Sequence, residues 1–244
     1  MDLNAYFEMA ETETRHWWYA GRRAVLASLI SQFNLPAETK ILDVGTGTGG
    51  NLHMLSAFGN VSALEMNTTA RSIAVEKTGG QFDIRAGYCP RDIPFSDKKF
   101  DLICLIDVLE HIQEDVATLI VMRRLLTEKG KIIVTVPAYR WLWSVHDEIL
   151  QHKRRYSAKL LRMKASAAGF QIEKMSYFNT LLFPFEVTVR ITDRLLGRSS
   201  ASGTSIPPSH VNMLFRQVFS AERFLLRKLN FPFGLSLLAI LYTD

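Results

Sequence analysis

An α/β fold with a mostly parallel sheet is predicted by three features of the sequence. Short apolar runs rich in β-branched residues alternate with helix-like segments over most of the chain. The runs show little polar alternation, the pattern of strands covered by helices on both faces. The first run passes directly into a glycine-rich turn, GTGTGG at 45–50, which opens a helix.

The elements follow in order. Strands are predicted at 40–44, 61–65, 82–86, 100–107 and 131–137, with helices at 52–58, 69–77 and 114–126 between them. Lys129 and Gly130 supply a stop signal before the fifth strand. Residues 157–168 read as a helix ended by Gly169, and 170–177 as a sixth strand. Two helix-like pieces follow, 181–196 and 211–229, separated by a Ser-, Gly- and Pro-rich tract at 197–209, and 234–242 gives a final apolar strand. An excursion of this length builds either a lid over a site or extra thickness on the core. There are no internal repeats.

Composition bounds the rest. With 244 residues, 48% hydrophobic and 22% charged, the chain can bury a core, and a single domain over 1–244 is expected. Its richest apolar stretch, 177–191, carries Glu186 and Arg190 and is broken by Pro184, so no membrane span is expected. Residues 1–10 lack the basic-then-apolar order of a secretory signal, which points to a cytoplasmic protein. Cys89 and Cys104 are too few for a disulfide framework or a zinc site, so reduced thiols and no metal are expected. The net charge of +5 is uneven: residues 1–139 carry −3 and residues 140–244 carry +8. The basic half either meets something anionic or is a solvated face.

Chemistry concentrates in the first turn. Gly45, Gly47 and Gly50 fit the G-x-G-x-x-G of dinucleotide-binding proteins. Glu65 ends the second predicted strand, where a carboxylate accepts hydrogen bonds from both hydroxyls of a ribose, whether of NAD or of S-adenosylmethionine. Asp43 stands two residues before the first glycine, Ile93-Pro94-Phe95 precedes the fourth strand, which Phe100-Asp101 opens, and Asp107-Val108-Leu109-Glu110-His111 stands at its end.

With these residues together the sequence resembles the class I S-adenosylmethionine-dependent methyltransferases, over roughly residues 15–179 and the terminal strand. It looks closest to a bacterial subgroup acting on small molecules. The shared segments are His16-Trp17-Trp18-Tyr19 with Arg22-Arg23, residues 105–111, Val136-Pro137-Ala138-Tyr139 with Leu142-Trp143-Ser144, and His152-Lys153-Arg154-Arg155-Tyr156. The resemblance implies a Rossmann-like seven-stranded sheet, mostly parallel with an antiparallel last strand, helices on both faces, and a helical cap at 180–233 between strands six and seven. It implies S-adenosylmethionine as cofactor and S-adenosylhomocysteine as product. Asp43, Gly45, Thr46 and Gly47 would bracket the methionine part, with Glu65 on the ribose, Met66 against the adenine and Asp107 near the reacting end. Thr46 stands where the family commonly has cysteine, and keeps a small side chain. The acidic residue usual after the third strand is replaced by Gly87-Tyr88-Cys89-Pro90, which leaves the adenine contact to backbone or to Tyr88.

Further roles follow from residue chemistry. A guanidinium, Arg22 ahead of Arg23, can pair with the cofactor's carboxylate while aromatic rings close over the sulfonium; alternatively the tryptophans simply pack on the sheet. A hydroxyl acceptor must lose its proton, and histidine is the commonest base. The candidates are His111, His146 and His152, with Asp147 orienting a histidine or acting as base itself; His152 is the first choice. Tyr139, Arg154, Arg155 and Tyr156 are the expected acceptor contacts. The alternative is that His152 and the basic run only grip an anionic acceptor while His111 is structural. Residues 181–191 with Arg190, Arg194 and Arg198 would suit a lipid-like or polyprenyl-phosphate acceptor, peripheral contact with an anionic membrane, or plain core packing under a basic stripe.

Asn-Pro-Pro-Tyr is absent after the fourth strand and no RNA-binding module is appended, so nucleic acid is not the expected substrate. The reading is O-methylation of a small, anionic or lipid-linked acceptor. One rival is an NAD-dependent oxidoreductase, although Tyr156 and Lys159 miss the Tyr-x-x-x-Lys spacing of one large group. The other is a non-enzymatic cofactor-binding or membrane-surface module.

Overall fold

The computed structural model describes residues 3–95, 97–195 and 206–243. Seven strands, β1 (Lys40–Val44), β2 (Asn60–Glu65), β3 (Asp83–Ala86), β4 (Phe100–Ile106), β5 (Leu126–Pro137), β6 (Gln171–Phe178) and β7 (Ser236–Tyr242), form one sheet in the order β3-β2-β1-β4-β5-β7-β6. β7 runs antiparallel to both its neighbours, and the pairings from β3 across to β5 are parallel. The predicted sheet, with its antiparallel last strand, is the one observed. The order reverses between β1 and β4, which opens a crevice at the carboxyl ends of these two strands.

Strand periodicity builds two cores. Leu42, Val44, Ile103, Leu105, Val134 and Ala239 face one side, where α5 (Asp115–Leu125) and α7 (Ala158–Ala167) bring Leu119, Met122, Leu161 and Ala165. Ile41, Leu102, Cys104, Ile133 and Leu238 face the other side, toward α2 (Trp17–Ile30), α3 (Leu52–Ser56) and α9 (Ser209–Leu226). Because both faces are covered, each strand reads as a continuous apolar run. α4 (Thr68–Lys77) packs Ala70 and Ala74 beside β2 and β3.

Most element ends shift by a few residues from the sequence expectations, and larger departures occur at β5, before β1 and after β5. β5 begins at Leu126, which pairs with Phe100 before a register shift to Leu102 and Lys131, so residues 126–130 are extended rather than helical at their start and loop thereafter. Two helices, α1 (Leu3–Thr12) and α2, precede β1, where the predicted element order begins with a strand. After β5 a short helix, α6 (Val145–Ile149), carries Asp147.

The excursion after β6 contains α8 (Phe183–Leu195) and α9. α9 lies along α2 so closely that a β-carbon at Gly21 would overlap the ring of Phe219. The buried Glu222 of α9 accepts hydrogen bonds from the backbone N–H groups of Asn179 (2.7 Å), Thr180 (2.6 Å) and Leu181 (2.8 Å), fixing the turn that leaves β6. Of the predicted basic stripe, Arg190 donates to the Leu142 carbonyl at 2.7 Å, while Arg198 and the side chain of Arg194 lie outside the described residues, as does most of the Ser- and Gly-rich tract. Among the described residues no helix is long and apolar enough to cross a membrane.

Candidate active site

A cavity of about 1160 Å³ lies over the carboxyl ends of β1, β2 and β4, walled by α1, α2, the β5–α6 connection and α8. Its volume exceeds the usual range for one small ligand. It has two ends of different chemistry.

At the first end the turn after β1 lines the wall. Gly45 and Gly47 adopt φ of +67° and +58°, which side chains disfavour. A β-carbon on Gly45 would also come within 2.9 Å of Val108. The Glu65 carboxylate accepts from Gly47 N–H and from Asn67 N–H, both at 2.8 Å, so it is locked to the turn. Met66 is exposed toward the cavity, followed around the wall by Gly87, Tyr88 and Cys89. Burial pushes the Cys89 thiol up to about 12, and it stays protonated.

Several buried polar atoms here lack partners among the described residues: Asp43 Oδ2, Thr46 Oγ1, Asn51 Oδ1 and Arg22 Nε. Burial pushes the Asp43 carboxyl up to about 7, against the pull of the Thr46 hydroxyl, which lies near the carboxyl without the geometry of a hydrogen bond, and of the Arg22 guanidinium. Unsatisfied buried polar groups are rare in folded proteins and mark the place where a polar ligand belongs. Arg22 pairs with Asp107 and stacks its guanidinium 4.5 Å from the Trp18 ring centroid and 5.4 Å from that of Tyr19. Asp107 takes a positive φ of 53° just past β4 and accepts from Thr135 Oγ1 at 2.8 Å. Arg23 points elsewhere, to the Glu13 carbonyl at 2.7 Å. Trp17 packs edge-on against Phe215 and Phe219, so of the two tryptophans only Trp18 meets the guanidinium.

At the second end, Glu110 and His111 from the turn after β4 meet His152 from the loop after α6. The His111 and His152 ring centroids are 4.7 Å apart at 80°. His152 Nδ1 lies 2.9 Å from Asp147 Oδ1. A carboxylate can only accept, so Nδ1 carries the proton and Nε2 is the remaining nitrogen. Arg155 clamps the same carboxylate with two bonds of 2.8 and 2.9 Å, and Ser144 N–H adds a third at 2.8 Å. Burial alone would raise the Asp147 pKa, but the hydrogen bonds from His152 and Arg155 hold it well below the carboxylate range. Burial, with His152 adding to it, pushes His111 down to about 3, while a hydrogen bond to the Leu150 carbonyl opposes the shift. The surrounding wall carries the apolar side chains of Trp141, Leu142, Val145, Val189 and Phe215, interrupted by Lys153, Glu186 and Arg190.

The structure therefore brings Arg22, Gly45, Thr46, Gly47, Glu65, Met66, Tyr88, Cys89, Asp107, His111, His152 and Arg155 to one cavity, together with His146. Asp43 and Asp147 lie directly behind it, fully buried. The other expected acceptor contacts point away. Arg154 pairs with Asp115 and bonds Gln113 Oε1 at 3.0 Å; the buried Tyr156 hydroxyl donates to Asp115 Oδ2 at 2.9 Å; Tyr139 stacks on Tyr177 at 5.1 Å. Asp115 is the sink for this charge, also receiving Lys164 at 2.7 Å.

Sequence reasoning passed over Glu13, buried against Thr48 Oγ1 (2.8 Å) and Lys77, and it gave Glu110 no role. Gly50 carries a trace of Glu13, because a β-carbon there would overlap its carboxylate. The only available signal for Glu110 was its position beside His111.

A glycine turn after β1, a carboxylate closing β2 and a crevice at a 3-2-1-4-5-7-6 switch point define the Rossmann-like methyltransferase class of fold. The chain belongs to the methyltransferase domain family, whose model matches residues 13–178. The uncharacterized protein MJ0638 of Methanocaldococcus jannaschii is 27% identical over 161 residues, which are 65% of this chain and 65% of that relative's length. A methyltransferase solved in complex with the Haloferax volcanii Trm112 activator superposes with a TM-score of 0.63 at 18% identity, covering 99% of this chain and 95% of that one. An S-adenosylmethionine-dependent methyltransferase from Clostridium acetobutylicum gives 0.59 at 12% identity, covering 93% and 92%. At these identities the structural likeness establishes the fold.

Proposed function

We propose that the protein transfers a methyl group from S-adenosylmethionine to the hydroxyl of a small acceptor with an apolar body, in the cavity described above. The observation that carries this reading is the set of unpartnered polar atoms, Asp43 Oδ2, Thr46 Oγ1, Asn51 Oδ1 and Arg22 Nε, gathered at the glycine turn beside Glu65. Donors and acceptors of both kinds suit the amino acid part of the cofactor, and Glu65 is available to the ribose once it exchanges its backbone partners. Met66 and Tyr88 offer flanks for the adenine. When bound, the sulfonium supplies an activated methyl group.

The chain's own residues do the rest. Arg22, held by Asp107 and Trp18, fixes the reacting end. His152, with Nδ1 on Asp147, and His111 beside it stand at the end of the cavity where the acceptor's hydroxyl would lie. Trp141, Leu142, Val145, Val189 and Phe215 exclude water around its body. Aligning acceptor and methyl group is the main contribution available to such a site. An anionic acceptor is less favoured, because Arg154 and Arg155 are committed to Asp115 and Asp147. Exposed Phe185 and Ile191 on α8, beside the cavity mouth, favour a lipid-like acceptor instead.

Calorimetric titration with S-adenosylmethionine, S-adenosylhomocysteine and NADH in parallel tests the reading. Saturable binding of the first two, weakened at least tenfold by Glu65→Ala, is expected. Preference for NADH, or no binding of any of the three, would overturn it.

A further inference from the structure

We propose that Glu110, His111 and His152 bind one divalent transition-metal ion at the acceptor end of the cavity. The proposal rests on the methyl-transfer reading and names the agent that meets the acceptor's oxygen. Each of the three side chains offers one ligand atom, and these atoms all lie within 4.8 Å of one another. Ion–ligand distances of about 2.1 Å put neighbouring ligand atoms roughly 3–3.5 Å apart. Closing the remaining gap takes a movement of about an ångström, which rotation of the side chains supplies.

The surroundings favour ligation over mere proximity. His152 gives Nδ1–H to Asp147, leaving Nε2 as a lone pair. The Leu150 carbonyl lies beside the His111 ring as an acceptor for one of its nitrogens. Metal-bound histidines are oriented in this way, with the second nitrogen on a carboxylate or a carbonyl. Glu110 is only 1% exposed, yet its Oε2 has no hydrogen-bond partner among the described residues. A buried carboxylate oxygen without a donor needs an explanation, and a cation between the two imidazoles provides one. Lys153 N–H donates to the Glu110 carbonyl at 2.8 Å, so the backbone joins the two segments without the ion, and His152 N–H to the Asp147 carbonyl at 2.9 Å fixes the loop that carries His152.

Two imidazoles and one carboxylate, with no thiolate, suit Zn²⁺, Mn²⁺, Fe²⁺ or Co²⁺ better than Mg²⁺ or Ca²⁺. Three protein ligands leave positions open toward the cavity. A hydroxyl bound there has its pKa lowered, and its proton passes to water. Asp147 becomes a positioning residue acting through His152, and Arg155 fixes Asp147.

Untagged full-length protein, stripped by dialysis against a chelator, is titrated with Co²⁺ followed by visible absorption, and with Zn²⁺ and Mn²⁺ by calorimetry. S-adenosylhomocysteine is titrated into the same samples. One equivalent of ion with a ligand-field spectrum is expected. His111→Ala and Glu110→Gln should each weaken it at least a hundredfold, and Asp147→Asn about 10–100-fold. Retained S-adenosylhomocysteine affinity shows that each variant is folded. A wild type that binds S-adenosylhomocysteine but no ion, or an ion whose affinity the variants leave unchanged, would overturn the metal site. Ion binding of the expected pattern without S-adenosylhomocysteine binding would support the metal site and overturn the methyl-transfer reading.

Discussion

A carboxylate buried at the end of β1 with one oxygen unpartnered works against the fold. Burial raises the Asp43 pKa from 3.8 to about 7, so between those values the native chain holds a proton that the unfolded chain has released. Stability attributable to this group is therefore complete below about pH 4, falls as pH rises toward 7, and stays low above it. Asp43→Asn should stabilise the ligand-free protein at pH 8 by on the order of 2 kcal/mol and flatten its denaturation midpoint between pH 4 and 7. It should also weaken S-adenosylmethionine binding. Urea denaturation across pH, with calorimetry on the same samples, checks both; a variant less stable than wild type at pH 8 would contradict the assignment. Asp43, the glycines and Glu65 were legible in the sequence because a strand, a turn and the next strand place them locally. Glu110 and Glu13 were not, since each takes its role from residues far along the chain: His152 for one, Thr48 and Lys77 for the other.

At the scale of elements, α9 is attached by two devices that make opposite demands on substitution. Phe219 occupies the space where Gly21 would carry a β-carbon. Gly21→Ala should destabilise by about 1–3 kcal/mol through overpacking, although alanine gains up to about 1 kcal/mol in helix propensity. In a Phe219→Ala background the clash is gone, and the same Gly21→Ala change should become stabilising. A double-mutant cycle by chemical denaturation reads that reversal of sign. Glu222 does the other job, accepting three backbone N–H groups from the turn after β6 while burial raises its own pKa. Glu222→Ala leaves those donors buried and unpaired, at a cost of about 3 kcal/mol, and Glu222→Gln, which keeps one acceptor oxygen, should cost less. The sequence announced a helix here from its periodicity. It gave no sign that a glutamate on that helix would close the turn after β6, because the contact spans more than forty residues. The β5 boundary was misplaced for a related reason: residues 126–130 have the look of a helix end, and their pairing with Phe100 is a tertiary choice.

For the whole molecule, only part of the charge imbalance between the two halves is met internally. Arg154 and Lys164 of the basic half reach Asp115 of the acidic half, and Arg155 pairs with Asp147, so three of the fifteen lysines and arginines of residues 140–244 are held by these carboxylates. What the two halves share is the cavity, and its walls are unequal. One wall is the carboxyl edge of the sheet, fixed by strand pairing on both sides. The opposite wall includes α1, tied down near its end by Lys77 to the Ala10 carbonyl at 3.3 Å and by Glu13 to Thr48 and Lys77, whereas the start of α2 is held more firmly, by Arg22 to Asp107 and by Asn212 to Trp17 N–H and the Arg15 carbonyl. Met9 Sδ would stand 3.7 Å from a β-carbon on Gly47, so a ligand lying along the glycine turn must touch this wall. Local opening there is expected to cost little free energy without ligand and much more with it. S-adenosylhomocysteine at a hundred times its dissociation constant should stabilise the fold by about 2.7 kcal/mol. Hydrogen exchange should then slow most in residues 3–20, with little change in the strands, whose amides are already protected. Protection confined to the sheet edge would mean that α1 and α2 are fixed before binding and that the ligand enters a preformed slot; protection of residues 3–20 makes the N-terminal helices the moving wall that completes the site.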